Sequence, residues 1–144
     1  MPPTDLLDGI WAAVPTPFRP DLSLDLPGVA RNVRHYRDTL RLTGVFCNGL
    51  IGEGWALALD ERRRVLEATL DAAADGLRVG VVTTHHSLAE TVDLSRHADD
   101  CGAHHIVLGR PPGPFTQDEL YGYVCTVADA VSRPQICSWG LAMW

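Results

Sequence analysis

Apolar and polar residues alternate along this chain in two different rhythms. Short runs rich in apolar residues predict five strands, at residues 10–14, 45–48, 79–84, 105–108 and 134–137. Between them lie four longer segments in which apolar residues recur every three or four positions, which predicts amphipathic helices. The pattern therefore predicts strand and helix alternating four times and ending on a fifth strand.

Each predicted helix is preceded by a side chain that can accept hydrogen bonds from a helix N-terminus: Asp25, Asp60, Ser87 and Thr116. Glutamates stand three residues after the last two, which predicts two capping boxes. Glycines at positions 76 and 102 follow the second and third helical segments, where helices commonly end.

Strands that alternate with helices form parallel sheets with right-handed crossovers. Two arrangements remain open at this point, a doubly wound open sheet or part of an eight-stranded barrel. A complete barrel needs about 250 residues, and this chain has 144. Because no linker or low-complexity segment interrupts the pattern, we expect residues 1–144 to form a single domain, with no second domain.

Charge and composition exclude several classes of partner. The formal net charge of -6 argues against non-specific binding to nucleic acid or to an anionic membrane surface. No apolar run approaches the roughly 20 residues that span a bilayer, and residues 1–8 lack a signal-peptide pattern. The four cysteines have no CxxC spacing, so we expect free, buried thiols in a cytoplasmic protein.

The strand at residues 45–48 leads into a glycine-rich loop with Gly49, Gly52 and Gly54. Backbone amides at the carboxyl end of a parallel sheet often bind small anions. The alternative is a tight connection whose glycines adopt positive φ. Arg110 follows the fourth strand and could meet a carboxylate with its planar fork.

All twelve basic side chains, histidine aside, are arginines, so chemistry at a lysine amine is impossible in this chain. Arg62, Arg63 and Arg64 predict a solvated helix face paired with neighbouring acids. The adjacent His85 and His86 follow the third strand, but no spacing of a closed metal site accompanies them, so we expect no metal.

Several segments resemble the dihydrodipicolinate synthase / N-acetylneuraminate lyase family. They are residues 9–18 (Gly-Ile-Trp-Ala-Ala-Val-Pro-Thr-Pro-Phe), residues 48–54 (Asn-Gly-Leu-Ile-Gly-Glu-Gly) and residues 57–62 (Leu-Ala-Leu-Asp-Glu-Arg). The resemblance extends to about Cys137. It implies a (β/α)8 TIM barrel, of which this chain would be the N-terminal half, truncated to about five parallel strands and four helices.

The family consists of class I aldolases and lyases. Its members bind pyruvate or a related 2-keto acid as a Schiff base on a lysine of the sixth strand, and the iminium serves as an electron sink. A hydroxyl pair and backbone amides in the glycine-rich segment hold the carboxylate, and a tyrosine after the fourth strand relays protons. The resemblance implies a 2-keto acid ligand, no cofactor, and a substrate-binding set to which we add the arginine after the fourth strand: Gly49, Leu50, Ile51, Gly52 and Arg110.

This sequence departs from the family pattern at each catalytic group. Leu50 and Ile51 replace the hydroxyl pair, Pro112 falls at the tyrosine position, and the lysine would lie beyond residue 144. Tyr121 and Tyr123 lie on the following helix, where we expect core packing. We therefore predict no catalytic residue in this chain.

Three hypotheses follow. The first is a truncated lyase that is inactive alone. The second is a non-catalytic half-barrel that self-associates, or binds a keto acid or a protein partner. The third is an open-sheet ligand-binding domain of unrelated chemistry. Residues 108–111 (Leu-Gly-Arg-Pro) are also similar to the strand-four exit of aromatic hydratase-aldolases, a sub-branch alternative.

The half-barrel hypothesis predicts a homo-oligomer. The first and last strands would be open edges. Four apolar side chains expected on the inner face would lack the residues that normally oppose them: Val14, Phe46, Val81 and Ile136.

Overall fold

The computed structural model describes residues 8–138, in which five strands alternate with four helices as the sequence predicts. The elements are β1 Trp11–Ala13, α1 Leu26–Asp38, β2 Gly44–Cys47, α2 Leu59–Ala73, β3 Arg78–Val82, α3 Leu88–Asp100, β4 His105–Gly109, α4 Gln117–Ala128 and β5 Gln135–Ser138, with a 3-10 turn, Ala74–Gly76, after α2. None of the helices in this range is long and apolar enough to cross a membrane.

All five strands belong to one parallel sheet in the order β1-β2-β3-β4-β5. A doubly wound sheet reverses its strand order at a switch point. The order here has no reversal, because each strand is added beside the one before it, as in a (β/α)8 barrel. The prediction of a TIM-barrel type, limited to five strands and four helices, is confirmed.

The two faces of the sheet differ in what covers them. Register pairs such as Val45 with Val79 and Val81 with Ile106 point toward the helices and are at most 2% exposed. The opposite, concave face carries Trp11 and other residues described below. Val14 and Val81 lie in the helix-facing core, so their predicted place on the inner face is wrong. Side chains alternate between the two faces along a strand. Val81 therefore lies on the face opposite to that of Gly80, which is the register partner of Phe46.

Aromatic rings cover part of the concave face. The rings of Trp11 and Phe46 stack with centroids 4.9 Å apart, and Trp11 lies 5.3 Å from the ring of His105. A Cβ built on Gly44 would lie 2.3 Å from the Trp11 ring, and one on Gly80 would lie 2.4 Å from the Phe46 ring. Each ring therefore occupies the space that its glycine partner leaves free.

Three of the four predicted helix caps are found. Asp25 accepts from the Gly28 amide at 3.0 Å, Ser87 accepts from the Glu90 amide at 3.4 Å, and Thr116 forms a reciprocal capping box. The predicted cap at Asp60 is wrong, because α2 already begins at Leu59 and the carboxylate of residue 61 accepts from the Ala58 amide.

Candidate functional site

The carboxyl ends of the parallel strands form one edge of the sheet, and the candidate site lies there. Because β2, β3 and β4 run parallel, the loops that follow them, with residues 49–54, His85 and Arg110, lie at this common edge, as predicted. The edge is the place where barrel folds hold their ligands.

The loop between β2 and α2 turns at two non-glycine residues. Asn48 has φ 58° and Glu53 has φ 53°, whereas the three glycines of this loop keep φ outside the left-handed region. The alternative, in which these glycines adopt positive φ, is therefore wrong. Two of them allow close approach of backbone, since a Cβ on Gly54 would lie 2.0 Å from the carbonyl oxygen of Asn48 and one on Gly52 would lie 3.0 Å from that of Val14.

The backbone of the same loop leaves amide donors available. The Glu53 amide donates to the Leu50 carbonyl, the Gly54 amide donates to the Gly49 carbonyl, and Thr16 Oγ1 donates to the Gly52 carbonyl at 2.6 Å. By contrast, the amides of residues 50–52 donate to no acceptor within residues 8–138; Leu50 and Ile51 are exposed, whereas Gly52 is buried. Consecutive free amides are a common basis of anion binding.

The side chains of the loop are apolar and exposed. Leu50 is 48% exposed, Ile51 56% and Trp55 71%. The positions of the family's hydroxyl pair therefore offer no side-chain hydrogen bond to a carboxylate. What they offer is an apolar rim, composed of Leu50, Ile51 and Trp55, beside the free amides.

Arg110 is exposed after β4 and forms no ion pair with a described residue, a property that it shares with Arg64 on the outer surface. Arg110 differs from Arg64 because it lies at the carboxyl edge of the sheet. The ends of β2 and β4 are two strand spacings apart, roughly 10 Å, so Arg110 and the loop amides lie at the same edge of the sheet. Pro112, at the predicted tyrosine position, is exposed and has no hydroxyl.

Arg62 is a functional candidate that the sequence analysis missed. It is 3% exposed, and its guanidinium donates to the carbonyl oxygens of Val82 at 2.7 Å and Thr84 at 3.0 Å, at the end of β3. It was predicted on a solvated helix face, and that prediction is wrong. The signal was present, because Arg62 shares the apolar stripe of Val65 and Leu66 at spacings of three and four.

This buried arginine also fixes the β2–α2 loop. The Asn48 side-chain amide donates to the Arg62 carbonyl at 2.8 Å, so the loop, α2 and the end of β3 form one connected unit. Burial lowers the pKa of Arg62 from its ordinary value, although the guanidinium stays charged. Asn48 Oδ1 and Arg62 Nε are buried without a hydrogen-bond partner among the described residues. The result is a buried positive charge next to the β2–α2 loop.

The neighbouring arginine also departs from expectation. Arg63 pairs with Asp93 of α3 at 2.6 Å, and not with acids of its own helix.

Of the two tyrosines on α4, Tyr123 is buried as predicted, and its hydroxyl lies 2.8 Å from Thr91 Oγ1. Tyr121 is 73% exposed, so its predicted core packing is wrong.

The histidine pair lies in a loop after the end of β3. His85 Nδ1 accepts from the Ser87 amide at 3.1 Å, and the rings of His85 and His86 meet edge to face at 5.7 Å. Within the described residues, neither belongs to a cluster of three metal-ligating side chains.

All four cysteines are free, as predicted, but not all are buried. Cys47 is fully buried, and burial raises its pKa to about 12. Cys101 and Cys137 are exposed, so the expectation of burial is wrong for them. Cys47 is thus an inert thiol beneath the site rather than a nucleophile.

Comparisons with known proteins agree with this geometry. A model of the dihydrodipicolinate synthetase family matches residues 6–137. A 4-hydroxy-tetrahydrodipicolinate synthase from Gluconacetobacter diazotrophicus is 34% identical over 134 residues, which are 92% of this chain and 45% of that protein. A trans-O-hydroxybenzylidenepyruvate hydratase-aldolase from Sphingobium xenophagum is 35% identical over 118 residues, 77% of this chain and 35% of that protein.

A solved structure leads to the same family. It is a prophage protein of the dihydrodipicolinic acid synthase family from E. coli K12, in complex with pyruvate, with TM-score 0.84 and 29% identity over 91% of this chain and 44% of that one. The chain thus spans less than half the length of these relatives. Because the family model covers nearly all of the chain, this protein belongs to the dihydrodipicolinate synthetase family.

Proposed function

We propose that this chain is the 2-keto-acid-binding, N-terminal part of a lyase or aldolase, and that it performs no Schiff-base catalysis by itself. The observation that carries the proposal is the set of free amides at residues 50–52, at the sheet edge above a buried arginine. The E. coli relative in complex with pyruvate supports the ligand class. We place the protein in the cytoplasm.

Each described group has a defined part in this proposal. The amides of residues 50–52 donate to the ligand carboxylate, and the charge of Arg62 raises the potential there without contacting the ligand. Arg110 meets the carboxylate or the keto oxygen from the other side. No side-chain amine is available to form the iminium, because the chain contains no lysine.

Two measurements test the proposal. Pyruvate should shift the amide NMR signals of residues 50–52 and of the Arg110 region. Arg110→Gln should weaken binding by about 1 kcal/mol, roughly fivefold, and Arg64→Gln, which removes an equal charge from the outer surface, should leave it unchanged. Signals that stay in place at saturating pyruvate, or equal losses in both variants, would refute the binding site.

The absence of catalysis has its own experiment. Borohydride reduction in the presence of pyruvate should leave the intact mass of the chain unchanged. A stable adduct of pyruvate mass on a side chain would contradict this part of the proposal, and it would leave the binding site itself untouched.

A second ligand class is an aromatic 2-keto acid. The apolar rim of Leu50, Ile51 and Trp55 favours it, since a hydroxyl pair would suit a small polar ligand better. The name of the Sphingobium relative supports the same class. A benzylidene pyruvate should then bind more tightly than pyruvate and quench the fluorescence of Trp55, and equal affinities would exclude this preference.

The non-catalytic alternative, a half-barrel that associates with a second copy or a protein partner, rests on a different observation. Within the described residues, β1 and β5 each pair with only one neighbour, and Trp11, Phe46 and Ile136 remain half-buried on the concave face. A second copy could cover this face and both edges.

A further inference from the structure

A separate cluster of side chains lies on the outer surface, between α2 and α3. The two helices run side by side in constant register, since Arg63 pairs with Asp93 and Glu67 pairs with His97, each 30 positions apart. One helical turn beyond His97 the same stripe reaches Cys101, whose Sγ lies 3.5 Å from His97 Nε2. This cluster is remote from the sheet edge and plays no part in the proposed function.

The ligand atoms of the three residues have the spacing of a metal site. The Glu67 carboxylate lies 3.0 Å from His97 Nε2, and all three ligand atoms lie within 4.8 Å of one another. Tetrahedral zinc, with bonds of about 2.0–2.3 Å, separates its donor atoms by roughly 3.3–3.8 Å. The His97–Cys101 separation already falls in this range, and the exposed Glu67 side chain can rotate to meet an ion.

We propose that Glu67, His97 and Cys101 bind a borderline-soft divalent cation, Zn²⁺ being the preferred ion, with water as the fourth ligand. The donors are a carboxylate, an imidazole and a thiol, which is a combination that zinc accepts and that magnesium or calcium does not favour. The ion would join two neighbouring helices and so stabilise their contact.

The charges around the cluster fit a cation better than they fit a reactive cysteine. Partial burial and the carboxylates of Glu67 and Asp100 raise the pKa of Cys101. A thiol in such surroundings is a poor nucleophile, whereas the same negative groups attract a metal ion. When the ion binds, the thiol releases one proton to solvent and a neutral His97 coordinates through Nε2.

The simpler explanation is an ion pair between Glu67 and His97 with the thiol as a bystander. The two explanations differ in the role of sulfur. Titration of the full chain with Co²⁺ should give a tetrahedral visible spectrum and a thiolate-to-cobalt charge-transfer band at one equivalent. Zn²⁺ should displace the cobalt and raise the Tm.

Matched variants assign the ligands. Cys101→Ser should abolish the charge-transfer band, and Cys101→Ser, His97→Ala and Glu67→Gln should each lower zinc affinity by at least roughly tenfold, as loss of even supporting groups does in metal sites. The controls are Cys137→Ser, His35→Ala and Asp71→Asn, which should keep the affinity of the parent chain. Circular dichroism and the metal-free Tm confirm folding of each variant.

Two results would overturn the proposal. One is the lack of a charge-transfer band in the parent chain. The other is a band that survives Cys101→Ser or disappears with Cys137→Ser, which would place the ion at another thiol.

Discussion

Replacing Gly54 by alanine should disrupt the β2–α2 loop, because the new methyl group has no room. Its Cβ would lie 2.0 Å from the carbonyl oxygen and 2.7 Å from the carbonyl carbon of Asn48, where ordinary contact begins at 3.4 Å. The obstacle is backbone, so no side-chain rotation relieves the overlap. Asn48 is itself held at φ 58° and bonded to Arg62, so its movement would disturb the buried unit.

The magnitude follows from what has to move. Overpacking of a well-packed site costs about 1–3 kcal/mol, and we expect the upper part of this range, about 2–3 kcal/mol. Gly122→Ala is the matched control, since its Cβ meets nothing within 4 Å on the exposed side of α4. The control should stabilise the chain by about 0.5–1 kcal/mol through helix propensity.

Urea denaturation measures both variants. The midpoint should fall for Gly54→Ala and rise for Gly122→Ala, with the slope of the transition unchanged. The amide signals of residues 50–52 should also move in Gly54→Ala and stay in place in the control. A Gly54→Ala chain as stable as the parent would show that the close approach of the two backbones is not needed.

Three further predictions concern other parts of the fold. Tyr123→Phe should cost about 1 kcal/mol, because it removes the buried hydrogen bond with Thr91, and Tyr121→Phe should be neutral; equal melting curves would contradict this. At pH 8 a maleimide should label the exposed Cys137 in the folded chain and spare Cys47, whose burial holds its pKa at about 12; labelling of Cys47 before unfolding would be the contrary result. Sedimentation at micromolar concentration should show an oligomer or a marginally stable chain, and a sharply melting monomer that binds no apolar dye would show that the concave face needs no cover.

The order of elements was predictable because it depends on local patterns. Apolar spacing and the caps at Asp25 and Thr116 depend on neighbours a few residues away, and the structure agrees with them. The prediction failed where contacts between segments distant in the sequence decide which face of a strand is covered by helices. Val81 was placed on the wrong face because a continuous apolar strand does not reveal which side the helices cover.

The candidate site was predictable in position but not in detail. The glycine-rich segment indicated a loop at the sheet edge. The residues with left-handed φ in this loop are Asn48 and Glu53, and the positions of the glycines do not reveal them. Arg62 was assigned to the surface because arginine is rarely buried. Its burial depends on the carbonyl oxygens of Val82, at the end of β3, and of Thr84, just after it, which are 20 and 22 residues away in the sequence.

The rings on the concave face follow a direction across the sheet. Trp11 of β1 lies over its register partner Gly44 of β2, and Phe46 of β2 lies over its register partner Gly80 of β3. Both rings therefore extend in the same direction, each over the next strand in chain order. A slip of one residue would turn a ring to the helix side and set a larger side chain opposite it. Shape as well as hydrogen bonding thus holds these three strands in register.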